Sequence, residues 1–158
     1  MSAPSHPIRR RDRALDEAEA LAILEKAEWG VLATVDADGW PYAVPLNHAV
    51  VEGALILHSA REGHKLRNLQ ANARVSYCVV TAAEPLPLEL ATRYESAIAF
   101  GRVRLLTDEA ERLAALQALG ARFAPDHPEV VAREIAKDAF RTAVLRISLE
   151  RVTGKARR

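Results

Sequence analysis

The stretch from Leu55 to Asn72 carries side chains whose types and spacing could bind an anion. Its first residues, Leu55–Leu57, have the composition of a short buried strand, and His58 follows directly at the end of that strand. A helix pattern then begins, and the N–H groups in the first turn of a helix have no partner within the helix. Such free donors, with a hydroxyl and fixed positive charges beside them, suit a phosphate group. The side chains that could supply these groups are Ser59, Arg61, Lys65 and Arg67.

A simpler interpretation of this stretch is also open. Strand-turn-helix units with a basic residue are common, and a surface helix with solvated Lys and Arg side chains would give the same pattern. The residues alone therefore indicate an anion site without excluding an ordinary surface helix.

Other kinds of site find little support in the sequence. The five histidines lack metal-ligand spacing, such as two His four residues apart on one helix, and Cys78 is the only cysteine, so we predict no metal site. Ser59 lacks the Gly-x-Ser-x-Gly setting of a nucleophilic serine. The glycine-rich phosphate loops of the two commonest nucleotide folds are also absent. Among these kinds of site, the anion site is therefore the one that the sequence supports.

Composition indicates a folded protein without a bulk affinity for nucleic acid. The 158 residues include 22 Lys and Arg against 21 Asp and Glu, and 49% of them are hydrophobic. We predict a single domain over residues 15–153, between a flexible basic tail at 1–14 and a basic tail at 154–158, with polyanion-binding arms as the alternative for the tails. The sequence shows neither a secretory signal pattern nor an apolar stretch of bilayer-spanning length, so we expect a cytoplasmic protein.

The periodicity of the apolar residues predicts the elements that must position the anion site. We expect four helices, at about 16–28, 62–72, 108–125 and 128–138. We expect six strands, at 29–35, 40–51, 55–59, 74–81, 94–106 and 141–151. Residues 82–93, with two prolines, are expected to form an irregular connection. Because hairpins join most of the strands, the predicted fold is mainly β (α+β), a six-stranded antiparallel, partly closed barrel with helices packed outside.

Pro45 indicates where this barrel could be irregular. A proline lacks the N–H that a central strand donates, so Pro45 implies either a sheet edge or a bulge within the expected strand 40–51. A bulge would leave backbone groups free to meet a ligand, whereas an edge proline would only protect the sheet from further pairing. The sequence leaves both interpretations open.

Three sequence motifs are spread from Trp29 to about Leu105. They read Gly30-Val31-Leu32-Ala33-Thr34-Val35-Asp36-x2-Gly39-x-Pro41-Tyr42-x2-Pro45-Leu46-Asn47, then Leu57-His58-Ser59-Ala60-x2-Gly63-x-Lys65-x3-Leu69-x2-Asn72, and finally Tyr94-x-Ser96-x3-Phe100-Gly101-Arg102. In this order and spacing they resemble the flavin-binding split-barrel superfamily of pyridoxamine 5′-phosphate oxidase-like proteins, in particular its nitroimidazole-resistance flavoproteins. Each motif alone is weak, but the three together are specific.

The resemblance implies a split β-barrel that forms a homodimer with FMN at the interface, one cofactor site per subunit and contributions from both chains. Lys65, Ser59 and the helix N-terminus would hold the FMN phosphate, and Arg61 is a weaker candidate for the same role. The positive charge and hydroxyl noted above would then serve a cofactor.

The resemblance also implies contacts to the rest of the cofactor. The backbone expected to face the edge of the isoalloxazine ring belongs to Pro45, Leu46 and Asn47. His58 would lie near the ribityl chain or the ring. From the other subunit, Tyr94 and Ser96 would contact the ring or the phosphate, and the face of their strand with small residues, such as Ala97 and Ala99, would suit close packing of the dimer.

The implied activity is that of an FMN-dependent oxidoreductase. It would pass electrons from NADH or NADPH to a small acceptor of the nitroaromatic or quinone type, and no side chain is required as a general acid. The alternatives are a flavin carrier or sensor without turnover, and a related split barrel that binds haem or a deazaflavin. Two departures matter: His48 stands where many relatives have an aromatic residue, and the Arg- and Lys-rich pattern that grips a phosphorylated vitamin is not evident. We therefore do not expect pyridoxamine phosphate oxidation.

Overall fold

One antiparallel sheet forms the body of the protein in the computed structural model, which describes residues 4–158. The strands are β1 Ala14–Leu15, β2 Trp29–Val35, β3 Pro41–Asn47, β4 Ala49–Val51, β5 Ala54–Ala60, β6 Arg74–Leu86, β7 Ala91–Leu105 and β8 Thr142–Arg157. The helices are α1 Glu17–Lys26, α2 His64–Ala71, α3 Glu109–Phe123 and α4 Pro128–Asp138. The strand order is β3-β2-β6-β7-β8-β5-β4, and β1 pairs with β8.

The sheet curls around its core. Strand β3, at one end of the sheet, contacts β5 near the other end, although the two are not neighbours in the ladder. Core side chains come from five strands and from α1 and α2, and they include Leu24, Leu32, Leu57, Leu66, Tyr77, Ala99 and Leu145. The predicted mainly β, partly closed antiparallel barrel with helices outside is therefore confirmed.

The predicted number of six strands is wrong, since the sheet has eight. Strand β1 has only two residues, too few for a periodic signal, and the expected strand 40–51 is divided into β3 and β4 at His48. The division arises because β3 pairs with β2 whereas β4 pairs with β5, so the chain passes from one end of the sheet to the other. Since β3 is an edge strand, Pro45 lies where a missing N–H costs no ladder hydrogen bond.

The predicted irregular connection at 82–93 is also wrong for most of its length. The register shifts between Val80 and Ala82, after which β6 and β7 continue as a paired ribbon to Leu86 and Ala91. Strand β2 pairs with only residues 76–78 of β6, so the far edge of β6 is unpaired at Pro85 and tolerates a proline. A single 3₁₀ turn, Pro87–Glu89, connects the two strands.

The four predicted helices are all present. Asp16 caps α1, accepting a hydrogen bond from the Glu19 amide at 2.8 Å, and Asp108 caps α3 in the same way. Helix α2 begins at His64, two residues later than expected, because Gly63 precedes it with a φ of +123°. No helix within residues 4–158 combines the length and apolar character needed to cross a membrane.

The chain from 154 to 157 is the end of β8, and the expected C-terminal tail is therefore not found over these residues. Gly154 pairs with Ala97 on one side and with Leu15 on the other. A Cβ built on Gly154 would lie 2.8 Å from the Ala20 Cβ, so only glycine lets α1 pack this closely on β8. The basic residues of this segment thus have fixed positions on the barrel.

Candidate functional site

The junction between β5 and α2 has an open helix N-terminus. Gly63 is the N-cap and has no side chain with which to cap the helix, and the first intrahelical bond runs from the Arg67 amide to the Gly63 carbonyl at 3.2 Å. The amides of the first helical turn, which precede Arg67 in the chain, have no hydrogen-bond partner within the helix. The Ser59 hydroxyl, half-buried at the end of β5, donates to the Ala60 carbonyl at 2.8 Å, so it must rotate to donate to a bound anion. The junction therefore offers several donors to one ligand.

Three cations near this helix end form no ion pair with a carboxylate in the described part of the chain. Within residues 4–158, Arg61, Lys65 and Arg67 form no ion pair. Lys65 is half-buried and close enough to His58 to affect its titration: burial lowers the His58 pKa, and the positive charge of Lys65 lowers it further. The His58 imidazole is therefore neutral at neutral pH, and Lys65 carries the positive charge of this corner.

Arg61 points to a different part of the surface. It lines two smaller cavities beside Arg112 of α3 and does not line the large cleft that contains His58. Lys65 does not line that cleft either, but it is close enough to His58 to lower the His58 pKa.

Three predicted site residues line one cleft. Asn47, His58 and Ser59 lie at one end of a cavity of about 950 Å³ whose opposite walls are α3 and α4. The apolar part of this wall is formed by Leu116, Leu119, Phe123, Val130, Val131 and Ile135. The cleft can therefore hold an apolar molecule against the neutral His58 imidazole.

The sequence did not reveal the role of α3 and α4 as walls of this cleft. A signal was present in α4, whose apolar residues recur at helical spacing. None of the described residues of α4 is buried. The helix nevertheless packs closely on α3, since a Cβ built on Gly120 of α3 would lie 2.2 Å from the side chain of Val131. An amphipathic helix whose apolar face is not taken up by the core is free to line a ligand site.

The segment 45–47 presents its backbone at the sheet edge. Pro45 pairs with Val31 and Asn47 with Trp29, and both Pro45 and Asn47 are exposed while Leu46 points inward. The Asn47 amide group donates to the Glu28 carbonyl at 3.0 Å, which orients the side chain. The segment is therefore held in place on one side by β2.

Tyr94 and Ser96 lie apart from this cleft. Both belong to β7, where Ser96 pairs with Lys155 and its hydroxyl donates to the Lys155 carbonyl at 3.4 Å. The Lys155 ammonium lies 5.6 Å from the centre of the Tyr94 ring. Within one chain the structure does not bring these two residues to the β5–α2 junction.

Two cations beside Tyr94 were missed because the sequence placed them in tails. Slight burial raises the Tyr94 pKa, but the nearby cationic groups of Lys155 and Arg13 outweigh it and leave the Tyr94 pKa below its ordinary value. Arg13 precedes β1 and Lys155 lies in β8, and β1 pairs with β8 at this point. Only the strand pairing, which is not visible in either segment alone, reveals this cluster.

The small-residue face of β7 does not form an outer surface. Ala97 and Ala99 are each 1% exposed and pack in the barrel core, so the expectation that this face meets a partner is wrong. The opposite face of the sheet is outward and carries charged residues, such as Arg74 and Arg102, as well as apolar ones. Its exposed large apolar side chains include Trp29, Val80 and Ile98.

Comparisons with known proteins agree with this architecture. The profile of the family described as pyridoxamine 5′-phosphate oxidase matches residues 16–156. No curated protein sequence matches the chain. Three solved structures illustrate the likeness. A proposed 5-nitroimidazole antibiotic resistance protein of Bacteroides thetaiotaomicron is 25% identical with a TM-score of 0.74, over 90% of this chain and 85% of that one.

The other two structures are described as cofactor-binding proteins. An FAD-binding protein of Mesorhizobium loti is 26% identical with a TM-score of 0.64, over 92% of this chain and 98% of that one. An FAD and heme binding protein of Mycobacterium smegmatis is 25% identical with a TM-score of 0.74, over 91% of this chain and 73% of that one.

Proposed function

The chain belongs to the pyridoxamine 5′-phosphate oxidase family, and from this premise we propose that it is an FMN-binding oxidoreductase that works as a homodimer. The observation that carries the proposal is the open N-terminus of α2, where uncapped amides lie beside Lys65 and the hydroxyl of Ser59. A phosphate dianion suits this position because the helix dipole, the backbone donors and the ammonium all favour negative charge there. The residues present therefore fit the phosphate of FMN.

The remaining proposed contacts, those to the flavin ring, come from residues outside this helix end. The exposed backbone of Pro45, Leu46 and Asn47 faces the isoalloxazine edge in this proposal. Asn47 and His58 line the same cleft, so a ring lying between them would also meet the neutral imidazole. The chain's own residues bind, orient and shield the ring, and FMN when bound supplies the transfer of electrons from a reduced nicotinamide to a small acceptor.

The apolar cleft is the proposed place for that acceptor. Its walls on α3 and α4 can exclude water and hold a planar apolar molecule of the nitroaromatic or quinone type, as expected from the sequence. Likeness to a proposed 5-nitroimidazole antibiotic resistance protein supports the nitroaromatic class. No side chain in this arrangement needs to act as a general acid.

A homodimer accounts for the position of Tyr94 and Ser96. Both lie away from the β5–α2 junction of their own chain, on the outward face of a sheet that exposes Trp29 and Ile98. Exposed apolar surface of this kind is typical of an interface between subunits. In the proposed dimer these residues, with Lys155 next to Tyr94, reach the cofactor that the other chain holds.

A second candidate cofactor is haem, favoured by the likeness to the FAD and heme binding protein. His58 is the side chain that could ligate iron, because its imidazole is neutral and the residue lines the cleft. A carrier or sensor that binds flavin without turnover is the third candidate, and a deazaflavin is the fourth.

Absorbance of the purified protein separates these candidates. Bound FMN gives flavin bands in the blue, whereas haem gives a Soret band. A protein that shows neither absorbance contradicts both the FMN and the haem proposals. Anaerobic addition of NADH or NADPH then tests turnover. Bleaching of the flavin bands supports an oxidoreductase, and flavin that stays oxidised with both donors contradicts it.

A further inference from the structure

His48 lies at the point where the chain passes from β3 to β4, and it is 0% exposed. Its Nε2 lies 2.7 Å from the Leu24 carbonyl oxygen of α1, and its Nδ1 lies 3.0 Å from the Tyr77 hydroxyl of β6. The Tyr77 hydroxyl in turn donates to the Leu46 carbonyl at 2.6 Å. A buried hydrogen-bond chain therefore runs from α1 through His48 and Tyr77 to the segment 45–47.

The proton count fixes the direction of these bonds. The Leu24 carbonyl can only accept, so a neutral His48 carries its proton on Nε2 and leaves Nδ1 as an acceptor. The single Tyr77 proton must then serve either the Leu46 carbonyl or His48 Nδ1. The shorter contact is the one to Leu46. In the neutral state, Tyr77 therefore donates to Leu46, and no proton lies between the Tyr77 oxygen and His48 Nδ1.

A protonated His48 would satisfy every contact. Nδ1–H would donate to the Tyr77 oxygen, Tyr77 would donate to Leu46, and Nε2–H would donate to Leu24. Burial opposes this state and lowers the His48 pKa, and the positive charge of Arg122 from α3 lowers it further. The hydrogen bond to the Leu24 carbonyl raises the His48 pKa but does not outweigh burial. The groups that face His48 are thus Leu24 of α1, Tyr77 of β6 and Arg122 of α3.

Tyr77 has little freedom to leave this position. It is 0% exposed, and a Cβ built on Gly30 would lie 2.5 Å from its ring, so the ring fills the space above this glycine. Gly30 is also the partner of Leu46 in the β2–β3 ladder. Leu46 is therefore held in two ways. It pairs with Gly30 in the ladder, and its carbonyl accepts from the hydroxyl of Tyr77, whose ring packs over Gly30.

We propose that His48 and Tyr77 are positioning residues that fix the Leu46 carbonyl and, through it, the backbone of residues 45–47 against the flavin ring. The link to the ring rests on the proposed function, whereas the fixing of Leu46 does not. Neither side chain touches the cofactor in this proposal. They act through the backbone between them and the ligand.

The test uses Tyr77→Phe, which removes one hydroxyl and keeps the ring. Thr34→Val is the control, since the Thr34 hydroxyl also donates to a carbonyl of β3, that of Tyr42, at 3.4 Å. It also accepts from the buried Asn68 side chain at 3.0 Å, so this control removes at least as many hydrogen bonds as Tyr77→Phe. In protein without ligand, amide hydrogen exchange of residues 46–48 should rise about tenfold in Tyr77→Phe, as expected for a lost buried hydrogen bond, and should not rise selectively in Thr34→Val. Equal exchange of residues 46–48 in the two variants overturns the positioning role.

The link to the flavin has its own readout. With FMN bound, Tyr77→Phe should shift the visible flavin spectrum and the midpoint potential and should alter their dependence on acid pH, while Thr34→Val retains the wild-type values. An unchanged spectrum, potential and pH dependence in Tyr77→Phe overturns the link to the ring. If the wild-type protein binds no FMN, the proposed function fails, and the exchange measurement still decides whether Tyr77 fixes Leu46.

Discussion

Lys155 and Tyr94 meet on the outer side of the β7–β8 pair, with the ammonium 5.6 Å from the centre of the ring. Replacing Lys155 with Met removes one of the two cations that stabilise the phenolate, so the Tyr94 pKa should rise towards its ordinary value. An alkaline titration followed at the tyrosinate absorbance measures this rise. Burial raises the Tyr77 pKa, so Tyr77 titrates later and does not mask the change. Tyr94→Phe, which should lack the early transition, is the control, and an unaltered titration of Lys155→Met would show that the two groups do not interact.

Lys65→Ala should weaken FMN binding. Loss of a charge-assisted contact to phosphate costs roughly 1.5–3 kcal/mol, equivalent to about ten- to more than a hundredfold in the dissociation constant. Arg67→Ala removes the same charge from an exposed position on the same helix, so it measures the part of the loss that comes from charge alone, and the loss in Lys65→Ala should exceed it. Calorimetric titration of both variants with FMN measures the difference. Equal affinities of Lys65→Ala and wild type would rule out Lys65 as a phosphate ligand.

Stability should fall as the pH drops below about 6.5, the ordinary pKa of an unfolded histidine. The folded protein holds the pKa of His48 and His58 below that value, mainly through burial, so the unfolded chain binds protons that the folded one does not. The free energy of unfolding therefore decreases with falling pH until the folded-state pKa is passed. Urea denaturation at several pH values measures the slope, which should be smaller in His48→Gln. A slope that His48→Gln leaves unchanged would contradict a neutral, buried His48.

Gly120→Ala should destabilise the protein by about 1–3 kcal/mol, the usual cost of overpacking. The new Cβ would lie 2.2 Å from Val131, so α4 must move away from α3 at the wall of the cleft. Adding Val131→Ala should recover part of the loss by making room. Thermal unfolding of the single and double variants measures both effects, and strictly additive losses would show that the two residues do not contact each other.

The sequence predicted elements that depend on local signals. The pairing of Asp16 with Glu19 is a bond across one helical turn, and the start of α1 followed from it. The ribbon formed by the end of β6 and the start of β7 was missed because its pairing is not local and its prolines suggested a loop. The small residues Ala97 and Ala99 were assigned to the wrong surface, since alternation separates two faces without saying which of them meets α1.

Only the part of the candidate site that lies within one stretch of sequence could be predicted. Ser59, Gly63 and Lys65 lie within seven residues of one another, so their convergence at a helix end could be inferred from spacing. The chain from Leu24 through His48 and Tyr77 to Leu46 joins three distant segments, and so does the cluster of Arg13 and Lys155 with Tyr94. Such clusters form only when strands pair, and no periodicity within one segment reveals them.

The central claim is that the N-terminus of α2 binds the phosphate of FMN, and a comparison of FMN with riboflavin, which lacks this phosphate, tests it most directly. Titration of the ligand-free wild-type protein with each flavin should give a dissociation constant for FMN at least about tenfold lower than that for riboflavin, given the usual strength of hydrogen bonds to charged groups. The ratio should shrink in Lys65→Ala. Equal affinity of the wild-type protein for the two flavins, or no binding of either, would contradict the claim.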